Sequence, residues 1–207
     1  MRIFLAGVSC VGKTTVGARL ADLLGCRFFD LDEEIARFFA TPLDRLRRRY
    51  LTQHAFSLAG AQALAQLLAR ADSSDCVIAL SPGGLMGGYW KIVGKTPDAT
   101  IVVLADTPEN ILARVTFYDA DSRPLQVTLT AREKRHHLRE IRRDIAYYGR
   151  SFQRAHATVD IAGCDPDAAA RKVGDALAPV RLALARPTEP GTASERPAGS
   201  PCPEIER

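Results

Sequence analysis

The chain has 207 residues, of which 46% are hydrophobic and 25% are charged. This length and composition are typical of one globular domain of about 100–200 residues. The formal net charge of +4 suits an anionic ligand, but it is too small to indicate a nucleic-acid or membrane surface by itself. No apolar run reaches the roughly 18 residues of a membrane span, and the five scattered cysteines form no C-x-x-C pair. We therefore expect a cytoplasmic protein that binds neither membrane nor nucleic acid.

The first segment of the chain joins a short apolar run to a glycine-containing loop. Residues 2–6 are predicted to form a buried strand, and residues 13–24 an amphipathic helix that stops at Gly25. A phosphate-binding pattern, G-x4-G-K-T, follows the strand and extends into the start of the helix. Its sequence is Gly7-Val8-Ser9-Cys10-Val11-Gly12-Lys13-Thr14-Thr15. Its backbone N–H groups would surround a polyphosphate, Lys13 would contact the outer phosphates, and the Thr14 hydroxyl could coordinate Mg²⁺.

An acidic pair ends the second predicted strand, which covers residues 26–32 and finishes in Asp30-Leu31-Asp32. Side chains two residues apart on a strand share one face, so both carboxylates are expected at the ligand-binding edge of an α/β sheet. One of them could hold Mg²⁺, and the other could accept the proton of an attacking hydroxyl. The alternative is an N-cap and a first-turn charge for the helix predicted at 33–39, because acids are common at helix starts.

The rest of the chain alternates short apolar segments with helices. Strands are predicted at 76–80, 100–105 and 157–161, and helices at 42–50, 54–70, 108–116, 130–148 and 166–178. This alternation predicts a three-layer α/β/α fold with a central, mostly parallel sheet. Residues 117–129 are polar and irregular, and residues 186–207 are rich in Pro, Glu, Ser and Gly. We therefore predict one domain at 1–180 and a disordered tail at 186–207.

The order of these motifs resembles the shikimate kinase family, a group of P-loop kinases that act on small molecules. The resemblance rests on the phosphate loop, on Phe29-Asp30-Leu31-Asp32-Glu33-Glu34, on Ser81-Pro82-Gly83-Gly84 and on Ser122-Arg123-Pro124-Leu125. It implies that ATP phosphates lie on residues 7–15, that Mg²⁺ lies at Thr14 with Asp30 close by, and that Asp32 binds the acceptor and is the candidate base.

The resemblance also implies roles for two later motifs. Gly83 and Gly84 would approach the acceptor, and Arg123 would close over the phosphates as the arginine of a flexible lid at about 117–129. A guanidinium in a loop between two helices suits that role on chemical grounds as well, because it can stabilise the charge that develops on a transferred phosphoryl group.

The chain departs from the family pattern in the glycine triplet, whose first position is Pro82, and at two acceptor-binding positions. Ser57 stands where one acceptor-binding arginine is expected, and Tyr147 or Tyr148 stands where a second is expected. Serine cannot replace a bidentate contact between an arginine and a carboxylate. The residues that could substitute are Arg143 or Arg150 near the second position, and Arg45, Arg47, Arg48 and Arg49 on the short helix at 42–50.

The predicted function is transfer of the γ-phosphoryl group of Mg-ATP to a hydroxyl of shikimate or of a related small hydroxylated acid or polyol, by a monomeric enzyme. Lys13, Asp32 and Arg123 would be its catalytic residues. One alternative is a small-molecule kinase that does not use shikimate, and another is a nucleotide-binding sensor of the same fold with weak turnover. Nucleic-acid binding through the basic helices is the least favoured alternative, because adjacent helix residues such as Arg47 and Arg48 point in different directions.

Overall fold

The structure is a computed structural model that describes residues 1–118 and 124–184. Arg123 and the segment 186–207, for which the sequence predicts a lid role and a disordered tail, lie outside the described residues. The elements in chain order are β1 (Arg2–Ala6), α1 (Lys13–Leu24), β2 (Arg27–Asp30), α2 (Leu31–Phe38), α3 (Leu43–Arg48), α4 (Gln53–Ala69), β3 (Cys76–Ala79), α5 (Gly87–Val93), β4 (Ala99–Ala105), α6 (Pro108–Ala113), β5 (Phe117–Tyr118), β6 (Pro124–Leu125), α7 (Ala131–Phe152), β7 (Ala157–Asp160) and α8 (Pro166–Leu184).

The central sheet has five parallel strands in the order β2-β3-β1-β4-β7, which confirms the predicted parallel α/β architecture. β1 lies in the middle, where Leu5 is opposite Ala79 of β3 and Val102 of β4. Because a central parallel strand is covered on both faces, it can be apolar throughout. The carboxyl ends of all five strands meet at one edge, where a ligand is expected in this class of sheet.

Two apolar cores lie on opposite faces of the sheet. Phe4 of β1 packs with Leu64 of α4 and Tyr89 of α5 on one face. Leu5 of β1 packs with Leu20 of α1 and with side chains of α8 on the other face. Successive residues of a strand point to opposite faces, so β1 contributes to both cores and the sheet becomes the middle layer of three. Among the helices within residues 1–118 and 124–184, none is long and apolar enough to cross a membrane.

Several predicted helix boundaries differ from those in the structure. α2 begins at Leu31 rather than Glu33, because Asp30 caps its first turn. α6 ends at Ala113 rather than Thr116, whereas α7 continues to Phe152 rather than 148. α8 continues to Leu184 and passes Pro179 rather than ending at 178. The short helix α5 was not predicted, since it begins with Gly87-Gly88, a pair with low helix propensity.

Candidate active site

The phosphate loop joins β1 to α1 in a conformation that only a few residue types accept. Gly7 has a φ of 144°, and a Cβ at this position would lie 2.8 Å from the Leu104 carbonyl oxygen of β4. Gly12 precedes α1 with a φ of 110°, and no side chain caps the helix start. The first N–H groups of α1 therefore lack a side-chain partner, as in sites where a helix N-terminus binds an anion.

The Lys13 ammonium group folds back onto its own loop. Its Nζ donates hydrogen bonds to the carbonyl oxygens of Gly7 at 3.0 Å and Val8 at 2.8 Å. Burial lowers the pKa of Lys13 to about 8, and the carboxylates of Asp32 and Asp30 oppose that shift. Both predicted acids therefore lie close enough to the predicted phosphate-binding lysine for their charges to act on its pKa.

Asp30 lies where the sequence predicts it, but not for the predicted reason. The expectation that Asp30 and Asp32 share one face of a strand is wrong, because β2 ends at Asp30 and Asp32 lies in the first turn of α2. Asp30 Oδ1 accepts a hydrogen bond from the Asp32 N–H at 2.9 Å, so Asp30 is the N-cap of α2. Its other oxygen, Oδ2, accepts a hydrogen bond from the Thr14 hydroxyl at 2.6 Å. The capping alternative is therefore met in full, and it still places Asp30 beside the phosphate loop.

The pair Thr14 and Asp30 has the chemistry that a nucleotide-bound Mg²⁺ requires. Among the residues that the structure describes, no group of three or more His, Cys, Asp or Glu could hold a metal ion. Mg²⁺ in phosphoryl-transfer sites needs no such cage, because it keeps several waters and uses one or two protein oxygens together with phosphate oxygens. A hydroxyl and a carboxylate oxygen 2.6 Å apart at the start of α1 fit that pattern.

Asp32 is hydrogen-bonded both to Asp30 and to the segment that follows β3. One of its carboxylate oxygens accepts a hydrogen bond from the Ser81 hydroxyl, which follows β3. Its other oxygen lies 3.8 Å from Nη2 of Arg47 on α3. Burial, followed by the Asp32 carboxylate, raises the pKa of Tyr89 to about 12. Asp32 therefore acts electrostatically on the phosphate-loop lysine on one side and on a tyrosine of the cavity on the other.

The cavity beside Asp32 has a volume of about 140 Å³ and is formed by α4, α5, α7 and the turn after β3. Its lining includes Ser57, Gly83, Tyr147 and Tyr148, which are four of the positions that the sequence assigns to the acceptor. Gly84 does not line the cavity, because it packs against Leu80, where a Cβ would lie 2.5 Å from the Leu80 Cβ. The structure therefore brings Gly83 to this cavity, but not Gly84.

Arg114 is a site residue that sequence reasoning missed. It follows α6, and its guanidinium donates a hydrogen bond to the Val11 carbonyl oxygen of the phosphate loop at 3.3 Å. The same guanidinium lies 2.6 Å from the buried Asp106 carboxylate at the end of β4. Burial favours a higher pKa for Asp106, but hydrogen bonds from Asn110, Arg114 and the Thr107 N–H outweigh burial and lower it. No local sequence motif indicates this contact, because Arg114 and Val11 are distant in the sequence.

Another cleft, of about 100 Å³, adjoins the phosphate loop at Val11 and Gly12. It lies between Thr15 of α1, Arg114, and the turn from Ile161 to Pro166 that leads into α8. The cleft thus has a guanidinium and the apolar Ile161 side chain in its lining, directly beside the phosphate loop.

The fold and this site define a P-loop protein, with a phosphate loop, a hydroxyl–carboxylate pair at the start of α1 and a neighbouring cavity. A model of the family described as "Shikimate kinase" matches residues 9–177. The chain belongs to the shikimate kinase family.

A curated relative agrees with this family assignment. A bifunctional shikimate kinase/3-dehydroquinate synthase from Thermotoga maritima is 31% identical over 125 residues, which are 60% of this chain and 24% of that protein. The chain spans about a quarter of the length of the curated relatives it matches.

Solved structures agree in fold. Shikimate kinase from Acinetobacter baumannii in complex with shikimate has a TM-score of 0.66 at 24% identity, over 91% of this chain and 95% of that one. Shikimate kinase from Aquifex aeolicus has a TM-score of 0.62 at 23% identity, over 88% and 99%. At this identity the likeness shows the fold, while the site depends on the residues described above.

Proposed function

We propose that this protein is an ATP-dependent kinase that transfers a phosphoryl group to a hydroxyl of a small hydroxylated acid or polyol. The observation that carries the proposal is the position of Asp32, whose N–H is bound by Asp30, the partner of Thr14, and whose carboxylate accepts a hydrogen bond from Ser81 after β3. A carboxylate between a phosphate site and a pocket is where a kinase needs to orient the attacking hydroxyl.

Each described residue has a definite role in this proposal. Mg-ATP supplies the transferable γ-phosphoryl group when it is bound, with Thr14 and Asp30 as the oxygen ligands or orienting groups for the metal. Lys13 exchanges its two carbonyl contacts in the loop for phosphate oxygens and offsets their charge. Asp32 accepts the hydrogen bond of the acceptor hydroxyl and takes its proton, while Ser81 and Arg47 hold the carboxylate in position.

The base of the nucleotide would occupy the cleft next to Arg114, and the acceptor would occupy the cavity next to Ser57. Arg123 remains the proposed lid arginine, on the strength of its sequence motif. The family relationship and the shikimate complex of the A. baumannii protein make shikimate the first acceptor to test. A role in the cytoplasm as a monomer is part of the same proposal.

The test is ADP release by the purified protein with Mg-ATP and a panel of cyclic polyols, sugars and hydroxy acids that includes shikimate. We expect at least one acceptor to raise the rate above the acceptor-free rate, and Lys13→Ala to abolish the stimulated rate. Tight ATP binding with no stimulation by any acceptor would favour the alternative of a nucleotide-binding sensor. That alternative has less support, because a sensor has no need for a carboxylate placed as Asp32 is.

A further inference from the structure

The cavity next to Ser57 has neither arginine nor lysine in the lining that the structure describes. Resting on the proposed function, we infer that the acceptor is an uncharged, polyhydroxylated ring compound that carries no carboxylate. The cavity walls offer hydroxyl, amide and imidazole groups from Gln53, His54, Ser57, Tyr147 and Tyr148, together with the thioether of Met86. Within the described parts of the chain, no lysine or arginine belongs to this lining. Such groups donate and accept hydrogen bonds with sugar-like hydroxyls without requiring an ionic partner.

Ser57, at the position of the missing arginine, is a short side chain packed against α5. Ser57 is buried, and its Oγ accepts a hydrogen bond from the Gly88 N–H at 3.2 Å. A Cβ at Gly88 would lie 2.7 Å from the Ser57 carbonyl oxygen, so α4 and α5 are in direct backbone contact here. The Ser57 hydroxyl is therefore engaged in the packing of these two helices.

The opposite wall is aromatic. Tyr148 stacks on Phe152 with ring centroids 6.1 Å apart, and Tyr147 meets Tyr148 edge-on at 4.9 Å. A Cβ at Gly83 would lie 3.9 Å from the Tyr148 ring, so the turn after β3 reaches this wall. Arg143, which the sequence offers as a substitute, is exposed and pairs with Glu140 at 2.8 Å. Aromatic rings with hydroxyl tips suit the C–H face and the hydroxyl edge of a polyol.

The charges around the cavity do not favour an anion either. The Arg47 guanidinium pairs with Asp32 and lies 5.5 Å from the centre of the Phe56 ring. Burial raises the pKa of Tyr148, as do Asp144 and Tyr147, whereas Arg47 lowers it. The Arg47 guanidinium therefore already has a carboxylate partner, Asp32, and is not free to bind the carboxylate of an acceptor. An acidic acceptor would be desolvated without a free partner, which disfavours its binding.

The experiment compares acceptors that differ only in charge. The matched pairs are shikimate with its hydroxymethyl analogue, in which the carboxylate is reduced to an alcohol, and D-glucuronate with D-glucose; myo-inositol is a further neutral ring. The first readout is kcat/KM for ADP release with Mg-ATP. The second is the Kd of each compound by calorimetry in the presence of Mg²⁺ and a non-hydrolysable ATP analogue.

We expect the neutral member of at least one pair to exceed its acid by about tenfold or more in kcat/KM and in affinity. Tyr147→Arg introduces a cation at an exposed position of the aromatic wall and should shift the acid-to-neutral ratio toward the acid by about tenfold. Tyr147→Gln, which removes the ring without adding charge, is the matched control and should leave that ratio unchanged.

Wild-type preference for the acids in both readouts would overturn the inference, and loss of that preference in Arg47→Ala would assign the carboxylate to Arg47. Absence of turnover with every acceptor would count against the proposed function, and the Kd ranking then decides the inference separately. Tighter binding of the neutral compounds would support it. Tighter binding of the acids, or binding of neither kind, would overturn it.

Discussion

ATP binding should weaken as the pH rises above 8, because Lys13 loses its charge in the free protein. Burial lowers the pKa of Lys13 to about 8, against the opposing effect of Asp32 and Asp30. A bound polyphosphate adds negative charge beside the ammonium group and holds it protonated. Binding above pH 8 therefore requires the uptake of a proton, and the affinity falls as protons become scarce.

The size of the effect follows from that pKa. At pH 9, about one unit above it, only about one free molecule in eleven carries a charged Lys13. Between pH 7 and pH 9 the apparent Kd for ATP should rise about tenfold, which corresponds to about 1.4 kcal/mol.

The free energy of unfolding should change with pH in the opposite direction, so that the protein becomes more stable as the pH rises. The ordinary lysine pKa of 10.5 applies to the unfolded chain, so the cost of burying Lys13 is full below pH 8 and is relieved as the pH rises from about 8 to 10.5.

The assay is an equilibrium titration with Mg-ATP between pH 7 and pH 9.5 at constant ionic strength. Lys13→Arg should bind with an affinity that does not change over this range, because an arginine stays protonated throughout. Cys10→Ser is the second control, since Cys10 is exposed in the same loop and a thiolate there would also repel phosphates. A wild-type Kd that is constant with pH, or a slope that persists in Lys13→Arg or disappears in Cys10→Ser, would refute the reasoning.

Three further predictions test other parts of the structure. Asp32→Asn should lower kcat by about 10²–10⁴ because it removes the proposed base. The Kd for ATP should be nearly unchanged when it is measured well below pH 8, where Lys13 stays charged without the help of Asp32. Stopped-flow and binding data that show kcat intact would remove Asp32 from the mechanism. Arg114→Ala should raise the Kd for ATP and lower the melting temperature, because it deprives the buried Asp106 carboxylate of its ion pair; unchanged melting would show that Asp106 does not depend on Arg114. Gly60→Ala should lower the free energy of unfolding by about 1–3 kcal/mol, since its Cβ would lie 2.1 Å from the buried Tyr89 hydroxyl. Gly149→Ala, in α7 with open space around it, is the matched control and should leave stability equal or slightly higher in urea titrations.

The parallel sheet and the phosphate loop were predictable because their signals are local. The apolar run at residues 2–6 indicates a buried strand, and the glycine and lysine spacing indicates a phosphate loop. Each signal is contained in a few consecutive residues. Asp30 and Asp32 lie at the sheet edge, as predicted, but the predicted conformation is wrong. A strand end and a capped helix start would both place these two residues at that edge. The capping tendency of Asp30 was the stronger local signal, since its side chain accepts the Asp32 N–H.

The contacts that shape the acceptor side were beyond local prediction. Helix α5 forms in spite of Gly87-Gly88 because these glycines let it lie directly against Ser57 of α4, and only tertiary packing reveals that. The sequence offered Arg45, Arg47, Arg48 and Arg49 as equal candidates near the acceptor. The structure distinguishes Arg47, which alone among these four pairs with Asp32 in the described part of the chain. Arg114 could not be found at all, because its partners lie on other elements.

The central position of β1 has a consequence for the order in which the protein can be made. β1 leaves the ribosome well before its neighbours β3 and β4, which begin at Cys76 and Ala99. Gly7 also packs on Leu104 of β4, so the phosphate loop is local in sequence but is supported by late residues. A nascent chain that has not yet released β4 therefore presents the open edge of an apolar strand in place of a nucleotide site. Such an edge invites pairing with other chains, which makes the interval before β4 emerges the period of greatest dependence on chaperones.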